Sequence, residues 1–220
     1  MVKKTREEAL ETRTLLLDTA EQVFHRKGVA QTTLCDIASV AGLTRGAIYW
    51  HFKNKGDLFN AMCDRVSLPL ETMTEAAAAA DVEDPLGELR KSVQFFFHKV
   101  THDEHYRLVF DILFSKCEFV AELGPIVERD ARVREQFMHR FERTFGNAEK
   151  RGQLPKGLNH RLAVHCYQGL VKGIVRNWLL DPNSFDLEAD GSRMLEAFFE
   201  MLQVSTALRD QSVGKGSKKK

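Results

Sequence analysis

An all-α fold is predicted from three observations. Apolar residues recur at three- and four-residue spacing through most of the chain. Capping residues (Thr5, Thr33, Thr44 and Asn54) stand immediately ahead of several of those runs. No segment alternates apolar and polar positions in a Val/Ile-rich context, so strands are not expected. About nine helices follow, and 220 residues suffice for a small N-terminal module and a larger helical body with its own core.

Taken in order, Thr5 with Glu8 caps a first helix that ends at Lys27-Gly28, a cation followed by a C-terminal glycine. Thr33 and Asp36 open a second, whose Leu34, Ile37, Ala38 and Ala41 share one face. Ala41-Gly42-Leu43 then makes a turn, with Gly42 suited to a left-handed backbone. Thr44 starts a third helix anchored by Ile48 and Phe52. Asn54 with Asp57 starts a fourth, from Lys55 to about Ala80, which the Glu83-Asp84-Pro85 segment breaks. Leu86, Leu89, Val93, Phe96, Phe97 and Val100 mark the next helix, and Tyr106, Val109, Phe110, Leu113 and Phe114 the one after. Ile126, Val133, Phe137, Phe141, Phe145 and Ala148 mark another, stopped at Arg151-Gly152 and Pro155. The last two cover roughly 159–181 and 187–205. The domains expected are a helix-turn-helix module at 1–54, a ligand-binding and dimerisation domain at 55–207 and a disordered Lys-rich tail at 208–220.

Residues 33–57 carry the chemistry. Two short capped helices joined at Gly42 form a helix-turn-helix, and no carboxylate stands between Asp36 and Asp57, as contact with a polyanion requires. Arg45, in the first turn of the second helix, carries donors matched to guanine O6 and N7. Gly46 and Ala47 let the backbone approach the groove. Thr33, Thr44, Tyr49 and His51 offer hydrogen bonds to phosphates, Trp50 its ring to a sugar edge, and Lys55 an ammonium at a helix start that already favours anions.

The stretch TTLCDIASVAGLTRGAIYWHFKNKGDLF resembles the N-terminal domain of TetR-type transcriptional repressors. The opening KKTREEALETR, the segment ILFSKCEF at 112–119 and NWLLDPNSFDL at 177–187 resemble the AcrR-like branch, which represses multidrug efflux pump operons. The resemblance runs over nearly the whole chain. It implies a ligand-responsive repressor that leaves a palindromic DNA operator when a small hydrophobic inducer binds the helical body. It also implies an effector lining of Val66, Val93, Phe96, Phe110, Phe114, Phe137, Gln168, Val171 and Lys172. A cationic Lys172 would favour anionic or phenolic ligands unless it snorkels to solvent. A ligand-independent, architectural DNA-binding dimer is the alternative.

Charge is distributed unevenly: residues 1–60 are net +2, residues 61–214 net −5 and residues 215–220 net +4. The basic excess lies at the reading module and the tail, where phosphate attraction is expected. Cys35, Cys63, Cys117 and Cys166 show no Cys-x-x-Cys spacing, and three of them fall on apolar faces, so buried reduced thiols are expected. His98, His102 and His105 invite a metal, but a charged inter-helix loop explains them; no metal or cofactor is expected. No nucleophile–base pairing or glycine-rich phosphate loop points to an enzyme. With no signal segment and no long apolar run, a soluble cytoplasmic protein without a membrane partner is expected. Gly169 and Gly173, with the Leu195, Phe198, Phe199 and Leu202 stripe, either finish a monomer core or build a dimer interface; because a helix-turn-helix reader binds a palindrome as a two-fold dimer, and the resemblance implies the same, a homodimer through the last two helices is expected.

Overall fold

The computed structural model describes residues 5–116 and 124–210. Among them are nine α-helices: α1 (Arg6–Lys27), α2 (Leu34–Val40), α3 (Arg45–His51), α4 (Lys55–Ala77), α5 (Pro85–His102), α6 (Glu104–Asp111), α7 (Gly124–Lys150), α8 (His160–Leu180) and α9 (Ala189–Val204). A π-helical turn, Ile112–Lys116, continues α6. The described residues contain no strand, only one isolated bridge between Leu158 and Arg209. No helix among them is long and apolar enough to cross a membrane.

The predicted boundaries have visible causes. Thr5 and Glu8 form a reciprocal capping box on α1, which ends at Gly28 with φ +82°. Thr33 and Asp36 do the same for α2. Asn54 Oδ1 accepts the Asp57 N–H at 2.9 Å, whereas the Asp57 carboxylate reaches one residue further back, to the Lys53 N–H at 3.1 Å. Asp84 Oδ1 accepts the Gly87 N–H at 2.8 Å and so opens α5 on Pro85.

The chain gathers into two compact units: residues up to Leu70 with Lys99–Arg134, and Glu71–His98 with residues from Glu135 onward. These differ from the predicted division at 54/55, because the first half of α4 packs with α1–α3. In the first unit Leu16, Phe24, Ile37, Ile48, Phe52, Phe59, Met62 and Val109 share one buried cluster. The Phe24 and Phe59 rings meet edge-on at 6.0 Å. In the second unit Phe141 meets Tyr167 at 4.9 Å, and Tyr167 meets Phe198 at 6.0 Å.

Several expectations need correction. α4 stops at Ala77 and carries Pro69 inside it. The π turn after α6 has no counterpart in the apolar pattern. The histidine-rich loop is a single residue, Asp103, which caps α6 through the His105 N–H. Cys63 is buried, but Cys35 is exposed and Cys166 half-buried; Cys117 lies outside the described residues. The stripe assigned to dimerisation, Leu195, Phe198, Phe199 and Leu202, is buried within the single chain. What α8 and α9 expose instead is Leu162, Leu180, Met194, Met201 and Val204.

Candidate nucleic-acid interface

α3 is a short helix held at one side. Ile48 is fully buried and Phe52, its C-cap, is 2% exposed, so the helix is anchored on the core through these two residues. Leu43 N–H donates to Ala38 O at 2.8 Å, and Gly42 takes φ +68°, which sets the tight turn between α2 and α3. Thr44 Oγ1 accepts the Ala47 N–H at 3.2 Å.

The opposite side is bare. Thr44, Arg45, Gly46, Tyr49 and Trp50 are exposed, and Ala47 and His51 half-buried. Trp50 is 72% exposed and stands edge-on to the His51 ring at 4.5 Å, so it belongs to the outward face and not to the core. The Arg45 guanidinium lies over the Tyr49 ring. A Cβ at Gly46 would meet nothing closer than Thr44 Oγ1 at 3.9 Å, so the fold itself would accept a side chain there. Thr33, at the head of α2, is exposed as well.

Lys55 stands apart from the other eight predicted contacts. Its Nζ donates to Val29 O at 2.8 Å and to Ala30 O at 2.9 Å, strapping the start of α4 to the turn between α1 and α2. Two of its three donors are thereby committed to the backbone, and the side chain is half-buried. Its role in the structure is to hold the module together.

Electrostatics around the module follow from its caps and its interior. Lys27 Nζ bonds Asp36 Oδ2 at 2.8 Å and, with the Thr33 N–H, holds the Asp36 carboxyl down to about 2. Inside, Glu21 is 1% exposed, and burial pushes its carboxyl up despite hydrogen bonding from His105 and the Arg65 charge. Sequence reasoning missed this residue. The available signal was an acid at the position between Ala20 and Val23 on the apolar face of α1.

The predicted effector residues fall in both units. In the first, Val66 is buried and Phe110 and Phe114, 5.7 Å apart, are half-buried. In the second, Val93 and Phe96 are buried and Phe137, Gln168 and Val171 half-buried. Phe137 stacks on Phe141 at 5.7 Å, and Tyr167, beside Gln168 on α8, packs against Phe141. Lys172 is exposed, so its ammonium reaches solvent.

Comparison with known proteins gives this arrangement its place. Residues 16–62 match the description "Bacterial regulatory proteins, tetR family", and residues 84–204 match "MAATS-type transcriptional repressor, C-terminal region". The chain is 39% identical to the HTH-type transcriptional regulator TtgR of Pseudomonas putida over 209 residues, covering 95% of this chain and 100% of that protein. It superimposes on NalD, the secondary repressor of the MexAB-OprM multidrug efflux pump in Pseudomonas aeruginosa, with a TM-score of 0.79 at 37% identity, covering 90% and 98% of the two chains. It also superimposes on SmeT in its triclosan complex, with a TM-score of 0.79 at 30% identity, covering 95% and 100%. A reading helix anchored on one side and bare on the other, in a chain matched along nearly its whole length, leads to one conclusion: the protein belongs to the TetR family of bacterial regulatory proteins, with a MAATS-type repressor C-terminal region.

Proposed function

We propose that this protein represses a multidrug efflux pump operon as a homodimer, and that a small hydrophobic ligand bound in its helical body releases it from the operator. The observation that carries the reading is the bare face of α3. Arg45, Tyr49 and Trp50 stand exposed on a helix whose other side is locked by Ile48 and Phe52. Arg45 is the base reader, with Thr33, Thr44, Tyr49 and His51 on phosphates. Gly46 and Ala47 leave the backbone close to the groove floor, and Trp50 sits at its edge.

Dimerisation is assigned to one face of each of the last two helices. Leu162, Cys166, Gly169, Gly173 and Leu180 share a face of α8, and Met194, Met201 and Val204 a face of α9. A Cβ at Gly169 or Gly173 would meet nothing within 4 Å in the single chain. Two heads on a two-fold axis then read half-sites about one DNA turn, ~34 Å, apart. For the ligand, the aromatic cluster of Phe137, Phe141 and Tyr167 next to Gln168 and Val171 offers apolar surface with few polar groups. Release needs the ligand to prefer the DNA-incompetent state by about 1–3 kcal/mol.

The test is fluorescence anisotropy with a duplex that the protein selects from a random library, with and without triclosan, the compound in the SmeT complex, and ethidium. Tight binding weakened about fivefold or more by one of them is expected. Binding that none of a broad hydrophobic panel alters would leave a DNA-binding dimer and remove the ligand response.

A further inference from the structure

The carboxylate of Glu21 is the meeting point of three helices. It projects from α1 with its neighbours Leu17, Ala20 and Phe24 in the core and is itself 1% exposed. Arg65 of α4 donates from Nη1 to Glu21 Oε1 at 3.0 Å and to Asp18 Oδ1 at 2.6 Å. His105 of α6 places Nδ1 2.6 Å from Glu21 Oε2 and 3.9 Å from Asp18 Oδ1. Both Glu21 oxygens are therefore used, one toward each partner helix.

Burying a carboxylate is costly, and an apolar residue would fill this position at least as favourably for stability. Apolar packing is already shape-specific, and hydrogen bonds to both carboxylate oxygens add a defined direction toward each partner helix, a use of buried ionic groups attested in some proteins. The same face of α1 continues the pattern one turn on, where His25 Nε2 lies 3.0 Å from Asp111 Oδ2 at the end of α6. Beyond the helix, the Val29 N–H donates to Lys116 O of the π turn at 3.3 Å. Asp18, Glu21 and His105 also have the spacing of a metal triad. The Arg65 guanidinium bonded to both carboxylates already supplies the positive charge, and a cation beside it would be repelled.

We infer that Glu21 is a positioning residue for operator binding: with Arg65 and His105 it fixes the angle of α1, and through α1 that of the reading helix, against α4 and α6. The inference rests on the DNA-binding reading and goes beyond it by naming the joint that sets the head. Movement of either α4 or α6 would then be delivered to α1 as a rigid displacement.

A cluster that merely supports the fold is separated from one that positions the head by replacing it with apolar residues. The full-length triple variant Glu21→Leu/Arg65→Met/His105→Leu is expected to melt at or above the wild-type temperature, as buried ion clusters replaced by apolar groups often do. Its affinity for a duplex that wild type selects from a random library should nevertheless fall about threefold to tenfold, with affinity for random-sequence DNA unchanged. Wild-type operator affinity in a variant of wild-type stability would overturn the inference. His105→Ala, at a half-exposed side chain, provides an independent decision should the triple variant not fold. Weaker operator binding at unchanged random-DNA binding supports the inference, and an unchanged operator affinity overturns it. The DNA-binding reading would fail differently, through a wild-type protein that selects no sequence at all.

Discussion

The guanidinium carbon of Arg45 lies 5.4 Å from the centre of the Tyr49 ring, one helical turn along α3. The ring limits the arginine's conformations before DNA is met, so less freedom is lost when its donors engage a base. Arg45→Ala is expected to cost about 1–3 kcal/mol on the operator and little on random DNA. Tyr49→Phe keeps the ring and removes the hydroxyl, so it should weaken all sequences alike. Tyr49→Leu should in addition reduce discrimination at the base that Arg45 reads. Competition binding against single-base operator variants checks both; equal discrimination in the two Tyr49 variants would remove the ring from base reading.

Lys55 was expected at a phosphate, and the structure turns it inward onto Val29 O and Ala30 O. Lys55→Met therefore removes two charge-assisted hydrogen bonds and should lower stability by about 1–3 kcal/mol. The dependence of log affinity on log salt should stay that of wild type, since no phosphate contact is lost. Thermal melts and a salt series read the two effects separately. A salt slope lower by about one unit would return Lys55 to the phosphate backbone.

Asp36 supplies the pH prediction. Its carboxyl is held at about 2 by Lys27 and the Thr33 N–H, below the 3.8 of an ordinary aspartate. Depression of a folded-state carboxyl means that the capping contribution is fully present above the ordinary value and is lost as pH falls through about 2. The side chain is solvent-accessible, so the quantity to measure is the titration itself. Carbon-detected NMR should place its midpoint near 2, and Lys27→Ala should raise it. A midpoint that does not move in Lys27→Ala would assign the depression to the cap alone.

Much of this was legible because it is local. Caps at Thr5, Thr33 and Thr44 and the turn at Gly42 depend on residues three or four apart, and the sequence states them directly. The bare face of α3 followed from the same periodicity that buries Ile48 and Phe52. Glu21 and Lys55 were opaque for the opposite reason. Glu21 finds its partners 44 and 84 residues away, so an acid on an apolar face marks the position without naming them, and Lys55 finds carbonyls 25 and 26 residues back, where side-chain type carries no signal. The apolar stripe of α9 had two uses open to it, a partner chain or its own core. The structure buries it in the chain's own core, with Phe198 on Tyr167.

The dimer assignment makes a prediction that separates the two faces of α9. Met201 is 38% exposed and Phe198 only 4%. Met201→Asp should therefore leave the helical content and melting of the isolated chain intact while shifting sedimentation to the monomer. Operator affinity should fall with it, because each head then binds one half-site alone. Phe198→Ala should instead destabilise the chain by about 3–5 kcal/mol, as for other large buried aromatics. A dimer that survives Met201→Asp would move the interface away from this face.

Pro69 lies inside α4, one residue before the chain passes from the first compact unit to the second at Leu70/Glu71. Having no N–H, it leaves the Arg65 carbonyl without its helical donor, and its ring crowds that same carbonyl. Arg65 is also the residue whose side chain grips Asp18 and Glu21. α4 is thus tied to α1 at Arg65 and lacks one helical hydrogen bond in the turn that follows. Pro69→Ala restores the missing bond, so the melting temperature should rise by several degrees. A stiffer α4 should also transmit motion differently. If the helix must bend at this turn for release, the compound that frees wild-type protein from DNA will free the variant less completely, at equal ligand affinity measured by calorimetry. Identical release in a more stable variant would place the bend elsewhere along α4.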